Sequence, residues 1–503
     1  MTPQSNFLVI ARIKLEERTK LEGLLTSMNR KVPDGTPDTG MADPDNPLVP
    51  FRQFGALHFA RFVIIEDHTL DDFRCLGMEV PKYPITLAFL GDVDGGRDRF
   101  LADLADNATA AAGLREVFAC CEDFDPAETD LVAWMKRNCL TPAASYVNWI
   151  GRTVRQVRAE EKLRGALQGE LASYARAHPG AGDDLRGVRR HLQRFADEQH
   201  RDLIFCPDPT PVGWWICNWL HYAIIPVLLL LPWALAVPFV LPLTFWGTYI
   251  LVLFVPLSLI AFVWLLIRSR VTFAPLAALG LMFVALMLMW WPLLVAVSAI
   301  VLVAVAVYRW YEKSELEVAR KPEDKRETPL ANLEDHDVTN QFTVVGSIKP
   351  SAFRRGMFTL ILWLTHYAAR HIFNRGYLSR IRTIHAAHWT FLNDKRRVLF
   401  VSNYDGSRHA YMDDFINKTG WGLNVIFSCG VAYPRTRWLI KDGSKNEQRF
   451  KDTNRRHQIP TQVWYKAYPG LTAFDLARNT RVRKGLQRRW MFKSGIRAWL
   501  RDL

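Results

Sequence analysis

Apolar residues crowd Phe7–Lys14 (FLVIARIK), and the same pattern of a Phe, an apolar pair, a small residue and a closing Ile-Lys returns at Phe342–Lys349 (FTVVGSIK). Short β-rich runs of this kind predict strands. After the first comes LEERTKLEGLLTSM, whose apolar positions recur at helical spacing, then two more β-rich runs, HFARFVII and YPITLAFLG. RDRFLADLADNATAAAG is again helical, and LREVFAC (Leu114–Cys120) reads as a closing strand. The order is βαββαβ, the split ferredoxin-like unit.

The echo at Phe342 continues in register with the first part of the chain. HFARFVIIED (His58–Asp67) is matched by HAAHWTFLND (His385–Asp394), and LAFLGDVDGG (Leu87–Gly96) by VLFVSNYDGS (Val398–Ser407). LREVFAC is matched by LNVIFSC (Leu423–Cys429), and YVNWIGRT (Tyr146–Thr153) by YKAYPGLT (Tyr465–Thr472). These matches align His58 with His385, Phe62 with Trp389, and Asp94-Gly95 with Asp405-Gly406. The chain is built twice, and the expected fold class is α+β: two ferredoxin-like units packed sheet to sheet as an α+β barrel, around a four-helix transmembrane insert.

The insert is expected because no Asp, Glu, Lys or Arg occurs from Trp214 to Ile267, nor from Val271 to Val307. Uncharged apolar runs of about 18 residues or more predict membrane spans. The first block fits helices at 216–237 and 248–267, separated by Pro238, Pro242 and Gly247. The second, 272–308, predicts a hairpin turning at Trp290-Trp291-Pro292, because one helix at ~1.5 Å per residue would overrun a ~30 Å hydrocarbon core. Three spans with a tilted last helix is the alternative. Arg268 and Arg270 lie between the hairpins, and Arg309 and Lys313 follow the last span, so the positive-inside rule makes that side cytoplasmic. An even number of spans puts both copies there, as their pairing requires. The expected location is a cell inner membrane, multi-pass, with both folded units cytoplasmic. An N-terminus without a basic run before its apolar stretch agrees.

The 503 residues carry a formal net charge of +14. Much of it crowds the C-terminus, where Arg478, Arg481, Arg483, Lys484, Arg488, Arg489, Lys493, Arg497 and Arg501 interleave with Leu486, Trp490, Met491, Ile496, Trp499 and Leu500. This predicts a basic amphipathic helix on anionic lipid headgroups, in preference to a nucleic-acid surface. The expected partition is a first unit at 1–167, a helical juxtamembrane linker at 168–212, the membrane region at 213–309, a charged linker at 310–340, a second unit at 341–486 and the basic helix at 487–503. Seven cysteines, an odd number with no CxxC spacing, point to a reducing compartment and to no metal site.

GDVDG (Gly91–Gly95) at a strand end of a duplicated ferredoxin-like chain resembles the dimeric α+β barrel superfamily, which includes dye-decolourising haem peroxidases, chlorite dismutases and small monooxygenases. The peroxidase resemblance implies a haem, a distal Asp with an Arg nearby, and a proximal His in the second half. Gly91, Asp94 and Gly95 match the GxxDG pattern, whereas the second copy has Ser402 in place of its first Gly. The candidate catalytic residues on this reading are Asp94 with Arg61, or Asp405 with Arg408. The candidate haem ligands are His385, His388, His409 and His58.

The residues also have plainer readings. Asp-Gly closes a strand, and Asp or Ser407 can accept from free N–H groups at a helix start. Period two sets His58 with Ala60 and Phe62, and His385 with Ala387 and Trp389, on apolar faces, with Arg61 and His388 on the opposite ones. Walker, HExxH and GxSxG motifs are missing. The expected spans carry no acidic or basic residue, which argues against a transporter or pump. Two functions stay open: a haem-dependent, peroxidase-like oxidoreductase at the membrane surface, and a non-enzymatic, membrane-anchored module for a lipid or small lipophilic ligand. A pocket lined by a histidine and an Asp/Arg pair would favour the first, and one lined by aliphatic and aromatic side chains the second.

Overall fold

The computed structural model describes residues 3–31, 37–180, 184–204, 207–209, 211–213, 216, 291–318, 320–373 and 375–503. They fall into two units, one made of Met1–Pro209 with Leu316–Leu503, the other of Thr210–Glu315.

The first unit is α+β. Its strands are β1 (Gln4–Arg12), β2 (Asn29–Lys31), β3 (Pro37–Ala42), β4 (Leu57–Ile65), β5 (Thr86–Asp94), β6 (Ala144–Val147), β7 (Thr339–Ser347), β8 (Ile384–Leu392), β9 (Arg397–Asp405), β10 (Thr436–Arg437), β11 (Lys441–Asp442) and β12 (Val463–Lys466). A six-stranded sheet runs β1-β5-β4-β12-β3-β2, a four-stranded sheet runs β6-β8-β9-β7, and β10 and β11 form a small hairpin. The copies therefore exchange their last strands. β12 of the second copy pairs antiparallel with β4 of the first, Tyr465 opposite Ala60; β6 of the first pairs antiparallel with β8 of the second, Tyr146 opposite Ala387.

The duplication extends to irregularities. β4 and β5 slip register between Leu57 and Phe59, and β8 and β9 slip between Ile384 and Ala386, so that a β-bulge falls on His58 in one copy and on His385 in the other. After each matched strand the chain turns through a glycine with positive φ, Gly95 at 85° and Gly406 at 83°. Only a residue without Cβ enters that region at no steric cost.

The helices of this unit are α1 (Arg18–Ser27), α2 (Asp71–Cys75), α3 (Arg97–Asp106), α4 (Ala108–Ala119), α5 (Leu131–Arg137), α6 (Val154–Ala177) and α7 (Leu185–Gln199); α8 (Trp291–Ser314) lies in the other unit; then follow α9 (Asp324–Ala331), α10 (Ala352–His371), α11 (Arg408–Phe427), α12 (Glu447–His457), α13 (Ala473–Gln487) and α14 (Lys493–Asp502). The first sheet and its helices enclose one apolar core, with Phe7, Phe62 and Phe89 in it; the second sheet encloses another with α10 and α11. A third cluster, Leu8, Val63, Ile65, Ala88 and Leu90 with Val345, Leu392, Leu399 and Val401, joins strands of both sheets. α6, α7, α13 and α14 share a fourth cluster through Leu163, Leu192, Val482 and Trp499, beside the buried pair Arg483–Glu160 at 2.6 Å.

Several expectations need correction. The two sheets do not close into a barrel: Cys139 bridges to β1 at Val9, Gln458 bridges to β7 at Val344, and the sheets associate by strand exchange instead. LREVFAC is not a strand but the second half of α4, because Ala110, Gly113, Leu114, Val117 and Phe118 fall on one buried helical face and Asn107 caps the first turn at Ala110. The linker at 310–340 contains the helix α9. Part of the apolar stripe expected to lie on lipid is turned inward: Leu486, Ile496 and Trp499 are buried, with Trp499 Nε1 donating to Val482 O at 2.8 Å, while Trp490 is exposed. α8 begins at Trp291, where the hairpin turn was expected. The expected helices at 216–237 and 248–267 lie outside the described residues, and among the described ones no helix is long and apolar enough to cross a membrane.

Candidate functional site

The bulges place both histidines over the carboxylate that ends the neighbouring strand. His58 Nε2 is 3.0 Å from Asp94 Oδ1, and His385 Nε2 is 2.7 Å from Asp405 Oδ1. Each carboxylate spends its second oxygen on a helix start: Asp94 Oδ2 accepts from the N–H of Val154, first in α6, at 2.8 Å, and Asp405 Oδ2 from that of Ala473, first in α13, at 2.7 Å. An anion there meets free N–H groups and the positive end of the helix dipole. The threonines that close the last sequence match cap the same helices, Thr153 at Gln156 and Thr472 at Asp475. The Asp-Gly pairs thus close strands as expected, but their carboxylates latch a distant helix, while Ser407 caps the adjacent one at Ala410.

Tyr468 lies among these pairs. Its hydroxyl is 3.1 Å from His58 Nδ1, and its ring centroid lies 5.5 Å from that of Phe59 and 6.3 Å from that of His385. Burial, reinforced by the carboxylates of Asp92 and Asp94, raises the Tyr468 pKa well above its ordinary value. A neutral phenol donating to Nδ1, with the Nε2 proton given to Asp94, joins Tyr468, His58 and Asp94 in one line of hydrogen bonds.

Two more networks occupy matched positions. Arg61 is buried in the first copy and donates to Thr343 Oγ1 at 2.9 Å, Asn403 Oδ1 at 2.5 Å and the carbonyls of Phe342 and Ser402 in the second. Burial lowers its pKa to about 10. His388, its counterpart in the second copy, reaches back to the first: Nε2 is 2.6 Å from Asp92 Oδ1 and Nδ1 is 3.0 Å from Ser145 Oγ. His58 and Arg61 were expected on opposite faces, yet both meet partners from the second copy, because the bulge interrupts the alternation.

The sequence-predicted residues are therefore only partly brought together. Asp94 joins His58 and Asp405 joins His385, but Arg61 binds second-copy acceptors and Arg408 pairs with Glu334 at 3.4 Å. His409 is exposed in the first turn of α11. Asp92, Ser145, Asn403 and Tyr468 were missed; Asp92 was within reach, since period two puts it on the face of Asp94.

Two of the four histidines, His58 and His388, and both carboxylates do not fit a haem site. An iron-binding imidazole needs one nitrogen free for the metal while an acceptor holds the other. His58 and His388 have both nitrogens engaged, whereas His385 commits Nε2 to Asp405, with its ring centroid 5.7 Å from that of Phe59, and His409 is exposed. A distal acid must be free to move a proton, whereas both oxygens of Asp94 and of Asp405 are spent. Among the described residues no group of three His, Cys, Asp or Glu side chains could hold a metal ion.

Open space lies elsewhere. A cavity of ≈ 270 Å³ opens between α10, α11 and the outer face of the second sheet, over Phe342, Trp389 and Phe400, with Ile361, Ala368, Met412 and Phe415 around it. α11 is broken at Thr419, with φ −142° and ψ 26°, in the stretch KTGWGL, whose glycines disfavour a continuous helix. Trp421 and Leu364 line the cavity while 54% and 50% exposed, beside Leu360 and Trp363 at 56% and 61%. Trp389 Nε1 is buried without a hydrogen-bond partner among the described residues.

No family model matches this chain, and neither does any curated protein or solved structure.

Proposed function

We propose that this chain is a membrane-anchored module in which two ferredoxin-like units, separated by an inserted set of spans in an inner membrane, bind a lipophilic small ligand of the acyl-chain type. The observation that carries the reading is the cavity beside α10 and α11. Its lining is aliphatic and aromatic, its volume of ≈ 270 Å³ is just below the ~300–1,000 Å³ common for ligand sites, and its mouth is rimmed by exposed apolar side chains. Each methylene buried there contributes roughly 0.8 kcal/mol.

The oxidoreductase reading lacks comparable support, because the histidines and carboxylates that would serve it bind one another and the starts of α6 and α13. The test is titration of the full chain, reconstituted in phosphatidylcholine liposomes, with a dansylated fatty acid. Ala368→Phe places a ring in the cavity and should weaken saturable binding by tenfold or more at an unchanged melting temperature. Equal affinity in a folded Ala368→Phe protein would overturn the proposal.

A further inference from the structure

The connection between α13 and α14, Arg488–Phe492 (RRWMF), leaves two large rings outside. Trp490 is 61% exposed and Phe492 66%, with their ring centroids 4.0 Å apart. Folding has used the other apolar residues of this region, since Leu486, Ile496 and Trp499 are buried against α6 and α7. The exposed pair is surrounded in sequence by Arg488, Arg489, Lys493 and Arg497, all exposed, and no acidic residue occurs from Leu476 to Arg501.

α7 adds to this charge. Its inner residues hold the connection in place: Arg189 donates to the carbonyl of Gly485 at 3.0 Å and to that of Arg488, and Gln193 donates to Leu486 O at 2.7 Å. Arg186, Arg190 and Arg194 are exposed and recur every fourth residue, so they form one stripe beside it. Only 200–213 separate α7 from the uncharged apolar run that begins at Trp214.

We infer that the Arg488–Phe492 connection, flanked by the α7 arginine stripe, is a docking face for an anionic bilayer, on which Trp490 and Phe492 enter the headgroup region and the arginines pair with lipid phosphates. The indole of Trp490, apolar with a polar N–H edge, favours that depth, Phe492 adds an apolar ring beside it, and each cation near an anionic surface contributes roughly 1 kcal/mol. A duplex nucleic acid would satisfy the arginines but gives no apolar medium for the two rings. The inference deepens the membrane-anchored reading by naming the surface that meets the lipid.

The test is amide hydrogen exchange of the full chain in liposomes of phosphatidylcholine alone and of phosphatidylcholine mixed with phosphatidylglycerol. Peptides covering 186–196 and 488–497 should exchange at least fivefold more slowly in the anionic liposomes. That protection should disappear in R488E/R489E and in W490S/F492S, and weaken at high salt. Equal exchange in both compositions, or protection that survives both double variants, would overturn the inference, as would equal protection of the parent chain by duplex DNA and by anionic liposomes. All four positions are exposed, so thermal melts of the variants should match the parent. Alkaline carbonate extraction reports separately on the spans: a chain that is extracted yet protected by anionic liposomes would remove the anchor and keep the docking face.

Discussion

Nε2 of His385 lies 2.7 Å from Oδ1 of Asp405, and the other oxygen of that carboxylate holds the first N–H of α13. His58, Asp94 and α6 repeat the arrangement. Both carboxylates are latches, each joining a bulged strand to a helix that follows an exchanged strand. Asp405→Ala leaves a buried imidazole and a helix start unsatisfied, and should cost about 2–4 kcal/mol, as should Asp94→Ala. Thermal and denaturant unfolding of the full chain will show this; a loss under about 0.5 kcal/mol at both positions would mean that the latches contribute little.

The exchange of β6 and β12 makes a chemical prediction of its own. Val147 and Ala386 are directly opposed in the β6–β8 pairing. A Val147→Cys/Ala386→Cys protein should form its crosslink within one chain and run at monomer mass on a non-reducing gel. A crosslinked dimer as the main product would place the exchange between chains.

His457 gives the expected pH dependence. It is buried, with Nδ1 3.2 Å from Thr69 Oγ1 and 3.3 Å from Val345 O, and burial lowers its pKa below the ordinary histidine value. Between the folded value and the unfolded value of about 6.5 the unfolded chain binds the extra proton. Stability contributed here is therefore complete above about pH 6.5 and falls with pH below it, with a slope of at most ~1.4 kcal/mol per pH unit. His457→Gln should flatten the decline in melting temperature between about pH 7 and pH 5. An unchanged or steeper decline would show that His457 is not a source of it.

The engaged imidazoles of His58 and His388, with the spent carboxylates of Asp94 and Asp405, predict the response to haem. The full chain expressed with ample haem, or mixed with haemin, should show no stoichiometric Soret band. A stoichiometric band lost in His385→Ala or His409→Ala would restore the peroxidase-like reading and locate its iron.

Much of this fold was legible because the duplication is. FLVIARIK and FTVVGSIK are β1 and β7, and the aligned His58/His385 and Asp94/Asp405 occupy matched bulges and latches. Two features were hidden for physical reasons. LREVFAC carries β-branched and aromatic residues at positions that also suit a helical face, and the alanines before it decided the outcome. The bulges add one residue that a period-two reading does not count, so the direction of His58 could not be read from its neighbours. The cavity was out of reach for another reason: it depends on the break in α11 at Thr419 and on the distance between two helices that only tertiary packing sets.

The central claim is that the cavity between α10 and α11 holds an acyl-type ligand. Photolabelling of membranes containing the full chain, with a long-chain fatty acid bearing a diazirine and an alkyne, followed by mapping of the labelled peptides, tests it most directly. The account predicts labels concentrated at 361–368 and 412–427, removed by excess unlabelled fatty acid and by Ala368→Phe. Labels confined to the apolar run at 214–308, unchanged by either, would contradict it.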